Sequence, residues 1–239
     1  MKQALEREKK MSELKLRFFS MASHEFRTPL SVIMFATQVL ENSEPEWLDE
    51  KKIRNIKRIK DCTHKITQML TDVLMLARAE AEKLELNPKT LNLEQFCRQI
   101  VEEINTERKE DCAISFVNKG NRNDEVYLDE KLLHSILSNL LSNAVKYSPQ
   151  GEEVNFEVEF EPESVVFTIK DRGNGIPIAD QAHLFEAFHR GENVGRIDGT
   201  GLGLAIVKRC VDLQKGKIAW DSYPGKGTTF SISIPQISK

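Results

Sequence analysis

Apolar residues return every seven positions through the N-terminal part of this chain, and that spacing restricts it to paired helices. Ala4, Met11 and Phe18 form one line, and Leu14 and Met21 a second three places further on. After a break over 41–50 that contains Pro45 and Trp47, the repeat resumes with Ile56, Thr63, Leu70 and Ala77 beside Ile59, Ile66 and Val73. The pattern predicts a helix over 1–42 and a second ending near residue 84, joined as an antiparallel hairpin. A hairpin of this kind has one apolar stripe too many to bury alone. A homodimer forming a four-helix bundle is the expected solution.

The period changes at Asn87-Pro88, which sets a boundary between a helical domain, 1–86, and a mixed α/β domain, 87–239. Helical spacing is expected from Leu93 to Thr106, Asp129 to Tyr147 and Leu202 to Lys215. Alternating residues predict strands at Ala113 to Asn118, Val154 to Phe160, Ser164 to Lys170, Ile218 to Ser222 and Thr228 to Ile234. The two strands flanking Glu161-Pro162 form a hairpin. The expected fold class is therefore an all-α hairpin followed by a two-layer α/β sandwich, a sheet with helices on one side.

Within the first helix, Ser23-His24-Glu25-Phe26-Arg27-Thr28-Pro29-Leu30 places an imidazole beside the apolar seam rather than in it. A nitrogen nucleophile needs that exposure, because a phosphate donor must approach it in line. Glu25 can take the proton from one ring nitrogen and so make the other more basic. Thr28 lies one turn along on the same face. Pro29 costs about 3 kcal/mol inside a helix and is expected to bend it there.

Four further clusters follow in the α/β part. Asn139 and Asn143 share a helix face at i,i+4 spacing, with Lys146 and Tyr147 a turn beyond. A neutral amide oxygen suits a single protein bond to Mg²⁺, making Asn143 the expected metal ligand, while Lys146 supplies a point charge for phosphates. Asp171-Arg-Gly173-Asn-Gly175-Ile-Pro177 follows a strand directly; the Asp171 carboxylate can accept from an adenine amino group, where guanine offers a carbonyl. Gly199-Thr200-Gly201-Leu202-Gly203-Leu204 opens a helix whose free amides can hold phosphate oxygens. Leu204 stands where a dinucleotide fingerprint has its third glycine, and Gly225-Lys-Gly227-Thr228 departs from a phosphate-binding GK[ST] turn. Between these lies a polar, glycine-bearing segment, His189 to Asp198, expected to act as a lid anchored by burial of the Phe185 and Phe188 rings. Arg190 at its start would reach a terminal phosphate.

These motifs, in this order, resemble the catalytic core of bacterial two-component sensor histidine kinases over nearly the whole chain. Ser23 to Leu30 is similar to the family's H box, Asn139 to Tyr147 to its N box, and Asp171 to Pro177 to its G1 box. Leu184 to Arg190 resembles the F box, Gly199 to Leu204 the G2 box and Gly225 to Phe230 the last glycine box. The resemblance implies a dimerisation and phosphoacceptor hairpin followed by an ATP-binding domain of the Bergerat type shared with gyrase, Hsp90 and MutL. It implies phosphorylation of His24 from ATP with Mg²⁺, assistance from Glu25, and onward transfer to an aspartate of a response regulator. Thr28 would serve in dephosphorylating that regulator. Other activities remain open: a chain that acts mainly as a regulator phosphatase, or a nucleotide-gated scaffold without transfer.

Composition narrows the partners. The 239 residues are 40% hydrophobic with net charge -3 and interspersed signs, which predicts no nucleic-acid footprint and no basic membrane face. No apolar run approaches a membrane span and no signal peptide precedes the first helix, so a cytoplasmic location is expected, with an upstream sensor module conceivable before Met1. Cys62, Cys97, Cys112 and Cys210 are scattered without ligand or pairing pattern, as are His64, His134 and His183.

Overall fold

The computed structural model describes residues 26–41, 49–81, 85–107, 113–120, 125–189, 191 and 199–236. The chain divides into two compact units, 1–75 and 76–239. The first holds helix α1, over the described residues 26–41, and most of helix α2, Asp49–Glu80, whose last turn belongs to the second unit. Ala36 of α1 and Met69 of α2 are buried, and Ser31, Val32 and Phe35 face Arg58, Asp61 and Cys62 across a shallow groove. Both helices keep an apolar surface: Leu30, Met34, Phe35, Ile53, Ile56, Leu70 and Leu74 are exposed in the single chain. Ile56 and Leu70 belong to one heptad line of α2, so the seam predicted from sequence lies largely uncovered. The earlier heptad residues, Ala4 to Met21, lie outside the described residues.

The second unit is built on strands β1 (Lys89–Asn92), β2 (Ala113–Asn118), β3 (Glu125–Leu128), β4 (Glu153–Phe160), β5 (Ser164–Lys170), β6 (Lys217–Tyr223) and β7 (Gly227–Pro235). Between them run helices α3 (Leu93–Glu107), α4 (Glu130–Tyr147), α5 (Ile178–Gln181) and α6 (Gly203–Leu213). Five strands form one sheet in the order β2-β4-β5-β7-β6, antiparallel except for the β2 and β4 pair. That parallel pair requires a crossover, which α4 supplies. Strands β1 and β3, absent from the sequence expectation, pair with each other in a separate antiparallel ribbon from Lys89 opposite Leu128 to Asn92 opposite Glu125.

Register explains the core. Phe156, Ile169 and Phe230 stand abreast across β4, β5 and β7, as do Val158, Phe167 and Ile232. Alternation turns all six to one buried face, and the residues between them, such as Glu157, Thr168 and Ser231, to the other. Helix α4 packs on β4 and β5 and against α3 and α6, with Leu133, Ile136, Leu137, Leu140 and Leu141 all essentially inaccessible. Each such leucine or isoleucine contributes roughly 1.5–3 kcal/mol by burial. The helix starts where Asp129 caps it, its Oδ1 accepting from Leu132 N at 3.0 Å. The other carboxylate oxygen accepts from Asn87 N at 2.8 Å, which ties the segment before β1 to this unit. Cys97 and Cys210 are packing residues, and burial pushes the Cys210 thiol up to about 12. No described helix is long and apolar enough to cross a membrane.

Candidate functional site

One cavity in the α/β unit gathers most of the residues singled out by sequence. Its wall includes Asn139, Asn143, Lys146 and Tyr147 from α4, Asp171 and Gly175 from the turn after β5, and Thr228 from β7. Gly199, Thr200, Gly201, Gly203 and Leu204 complete it around the start of α6. Two of the expected residues stand behind that wall. Leu202 is buried in the core with its N–H donated to Thr200 Oγ1 at 3.2 Å, and Gly173 supports the site through its backbone.

The Asp171 carboxylate is held by the protein on one side only. Oδ1 accepts from Gly173 N at 2.8 Å and Thr228 N at 3.1 Å, and Asp171 N donates to Thr228 O at 2.9 Å. Oδ2 has no protein hydrogen-bond partner among the described residues. Burial raises the carboxyl's pKa from its ordinary value, and the two backbone amides oppose that rise. Beneath it, Thr228 Oγ1 and Ser222 Oγ are 2.9 Å apart, Ser222 Oγ accepts from Ile176 N at 2.8 Å, and Gln181 Nε2 donates to both Ile176 O and Ser222 O at 3.1 Å. These bonds lock the turn after β5 to the β6 and β7 edge, so the free oxygen keeps its direction.

On helix α4, Asn139 Nδ2 donates to Ser135 O at 2.8 Å, which leaves its Oδ1 beside Gly203. A Cβ on Gly203 would fall 2.6 Å from that oxygen, so any side chain there would force the Asn139 carboxamide to move. The Asn143 side chain, a turn away, has no hydrogen-bond partner among the described residues. Lys146 Nζ lies 3.2 Å from Tyr147 Oη and 4.8 Å from the centre of its ring, poised beside Gly199. The glycine turn is fastened to the end of the 184–189 segment: Phe188 N donates to Gly201 O at 2.9 Å, and both residues adopt positive φ, 68° and 70°. For phenylalanine this is a strained conformation, held in place by that closure.

Several expectations need correcting. Phe185 and Phe188 are half-buried rather than buried; Phe185 meets Trp220 edge to face at 5.2 Å on the sheet margin, so the segment is anchored by backbone closure as much as by burial. His189 lines the cavity, together with Asp180, which sequence reasoning missed, and most of the expected lid, 190 and 192–198, lies outside the described residues. Thr28 is exposed on α1. His24, Glu25 and Arg190 lie outside the described residues.

Comparison with known proteins agrees with both halves. Residues 14–82 match the model of the His Kinase A (phospho-acceptor) domain, and residues 128–238 that of the histidine kinase-, DNA gyrase B- and HSP90-like ATPases. The adaptive-response sensory kinase SasA of Thermosynechococcus vestitus is 32% identical over 234 residues, covering 95% of this chain and 61% of that protein. Sensor histidine kinase WalK of Bacillus subtilis is 31% identical over 235 residues, covering 95% of this chain and 38% of that protein. The chain thus spans between about two-fifths and three-fifths of the length of these relatives. Among solved structures, full-length ShkA in complex with AMPPNP aligns with a TM-score of 0.68 at 28% identity, over 92% of this chain and 46% of that one. Two family models in tandem, on a helical unit and on an α/β unit with a cavity whose wall carries the asparagine, aspartate and glycine motifs, place the chain in the family of two-component sensor histidine kinases.

Proposed function

We propose that this chain is a protein-histidine kinase core: it transfers the terminal phosphoryl group of ATP to His24 and from there to an aspartate on the receiver domain of a response regulator. One observation carries the reading. One cavity carries on its wall both a hydrogen-bond acceptor without a protein partner among the described residues, Asp171 Oδ2, and the group formed by Asn143, Lys146 and the glycine turn. An adenine nucleotide has the matching polarity, an exocyclic amino donor at one end and an anionic chain at the other.

In the transfer, a ring nitrogen of His24 attacks the terminal phosphorus, the bond to the bridging oxygen breaks, and ADP leaves. Glu25 takes the proton from the other ring nitrogen. Lys146, Arg190 and the amides around Gly199, Gly201 and Gly203 balance the charge of the phosphates. Among the described residues no three His, Cys, Asp or Glu converge as a metal cage. The partnerless Asn143 carboxamide fits a Mg²⁺ ion that takes most of its ligands from phosphate oxygens and water, and Mg²⁺ bound there would supply electrostatic stabilisation of the migrating group. Tyr147, Asn139, Thr200, Leu204 and Thr228 shape the nucleotide site, with Gly173, Gly175 and Leu202 holding its turns.

The exposed apolar residues of α1 and α2 support a homodimer built through the helical unit. We keep the domain boundary at residue 86: the bond from Asn87 N to Asp129 supports counting Asn87 with the α/β domain, while the compact units part earlier, between residues 75 and 76. A second activity, removal of the phosphoryl group from the regulator, is assigned to Thr28, which is exposed on α1. Radiolabelled ATP tests the main reading. Label should appear on the wild-type chain, disappear in acid, and be absent from His24→Gln; label that persists in acid, or in that variant, would overturn it.

A further inference from the structure

We propose that Asp129 is a positioning residue for phosphoryl transfer: its carboxylate fixes where the chain arriving from α2 enters the α/β unit, and so how the nucleotide is delivered to His24. The inference rests on the kinase reading above and adds a residue outside the nucleotide cavity. Asp129 is buried, and each of its oxygens holds one backbone N–H. Oδ1 accepts from Leu132 N at 3.0 Å and caps α4, while Oδ2 accepts from Asn87 N at 2.8 Å.

The second bond stands where the backbone has none to give. Strands β1 and β3 pair as far as Lys89 opposite Leu128. The next residue outward on β1 is Pro88, which lacks an N–H, and the Asp129 side chain reaches past it to Asn87 instead. A bare oxygen on a buried carboxylate is costly, and a hydrogen bond to a charged acceptor is stronger than one between neutral groups, so the tie is firm. One carboxylate thus joins the incoming chain to the first turn of α4, the helix that carries Asn139, Asn143, Lys146 and Tyr147 on the cavity wall.

His24 and the cavity belong to different units, so the chain between them governs how they meet. A misplacement of about 1 Å can slow a reaction about 100-fold. Six residues, 81–86, separate Glu80 at the end of α2 from Asn87. Without the tie the free stretch runs on to Lys89, and two further residues add roughly 7 Å of reach. Added length alone dilutes the encounter by less than about twofold, because closure depends only on the logarithm of loop length. The lost direction of entry is the larger effect.

The test follows acid-labile label on the whole chain against the concentration of radiolabelled ATP with Mg²⁺. Asp129→Asn keeps an acceptor for Leu132 N but turns an N–H toward Asn87 N, so the cap stays and the tie is lost. Asn87→Pro removes the donor and leaves the carboxylate, whereas Asn87→Ala keeps the backbone N–H and serves as the control. Asp129→Asn and Asn87→Pro should each lower the maximal labelling rate at least about threefold, with KM for ATP within about twofold of wild type. The double variant should be no slower than the slower single one, and Asn87→Ala should match wild type. A loss smaller than about threefold in either variant overturns the proposal, and so does an equal loss in Asn87→Ala. A KM that rises in step with the lost rate overturns it as well, because that marks damage to the nucleotide site. Absence of label from the wild-type chain instead overturns the kinase reading, and this inference with it.

Discussion

Replacing Asp171 with asparagine should redirect the site from adenine toward guanine while leaving the fold intact. The carboxylate is 7% exposed, and its Oδ1 already serves Gly173 N and Thr228 N. An asparagine carbonyl can keep both of those bonds, so the amide NH₂ takes the position of Oδ2. The acceptor that faces the base then becomes a donor. A hydrogen bond to a charged group is worth about 1.5–3 kcal/mol, so ATP affinity should fall roughly 10- to 150-fold. The guanine carbonyl, opposed to the carboxylate in the wild type, would accept from the new NH₂, and GTP affinity should rise. Burial raises the Asp171 carboxyl's pKa, which means that the protein bears a cost for the charge, so removing it should not lower the melting temperature. Competition between ATP and GTP for a fluorescent nucleotide, in wild type and Asp171→Asn, reads the switch directly. If the variant keeps both its ATP affinity within about twofold and its preference over GTP, the carboxylate does not read the base.

Two other outcomes follow from the packing. Gly203→Ala drives a methyl to 2.6 Å from Asn139 Oδ1, and Asn139 can yield only by giving up its bond to Ser135 O. Nucleotide affinity should fall about tenfold, while thermal stability changes by less than about 1 kcal/mol because alanine favours the helix that it begins; a binding isotherm beside a melting curve checks both. In the helical unit, burial raises the Asp72 carboxyl to about 6, against a lowering bond from Gln68 Nε2 at 2.9 Å. Its folded pKa exceeds the unfolded value of 3.8. Ionisation therefore opposes folding: the penalty is absent below about pH 4, grows as pH rises, and is complete above about pH 6, reaching roughly 3 kcal/mol. Urea unfolding of Asp72→Asn should lack that slope, and an unchanged slope would show that Asp72 is solvated.

Much of the architecture was written in periodicity. The α4 stripe from Leu132 to Val145 and the alternation of Val154, Phe156 and Val158 each bury one face, and burial is what periodicity encodes. The short strands β1 and β3 escaped because four residues are too few for an alternation, and their pairing joins Lys89–Asn92 to Glu125–Leu128 across an intervening helix and strand. The glycines of the motifs were legible as a group, since all but Gly225 mark a close approach. Their partners were not: that Gly203 faces Asn139, or that Gly201 closes on Phe188, depends on how α4 and α6 meet.

The same distinction separates Asp171 from Asp180. Asp171 was visible because a carboxylate at the end of a strand, followed at once by two glycines, has few purely structural uses. Asp180 follows Ile-Pro-Ile-Ala in a stretch with no motif of its own, and it meets His189 only because the chain returns nine residues later. That return is enforced by the Phe188 to Gly201 bond and the left-handed turn at Phe188, neither of which leaves a mark in the order of residue types. A pair assembled by backbone strain is invisible to spacing.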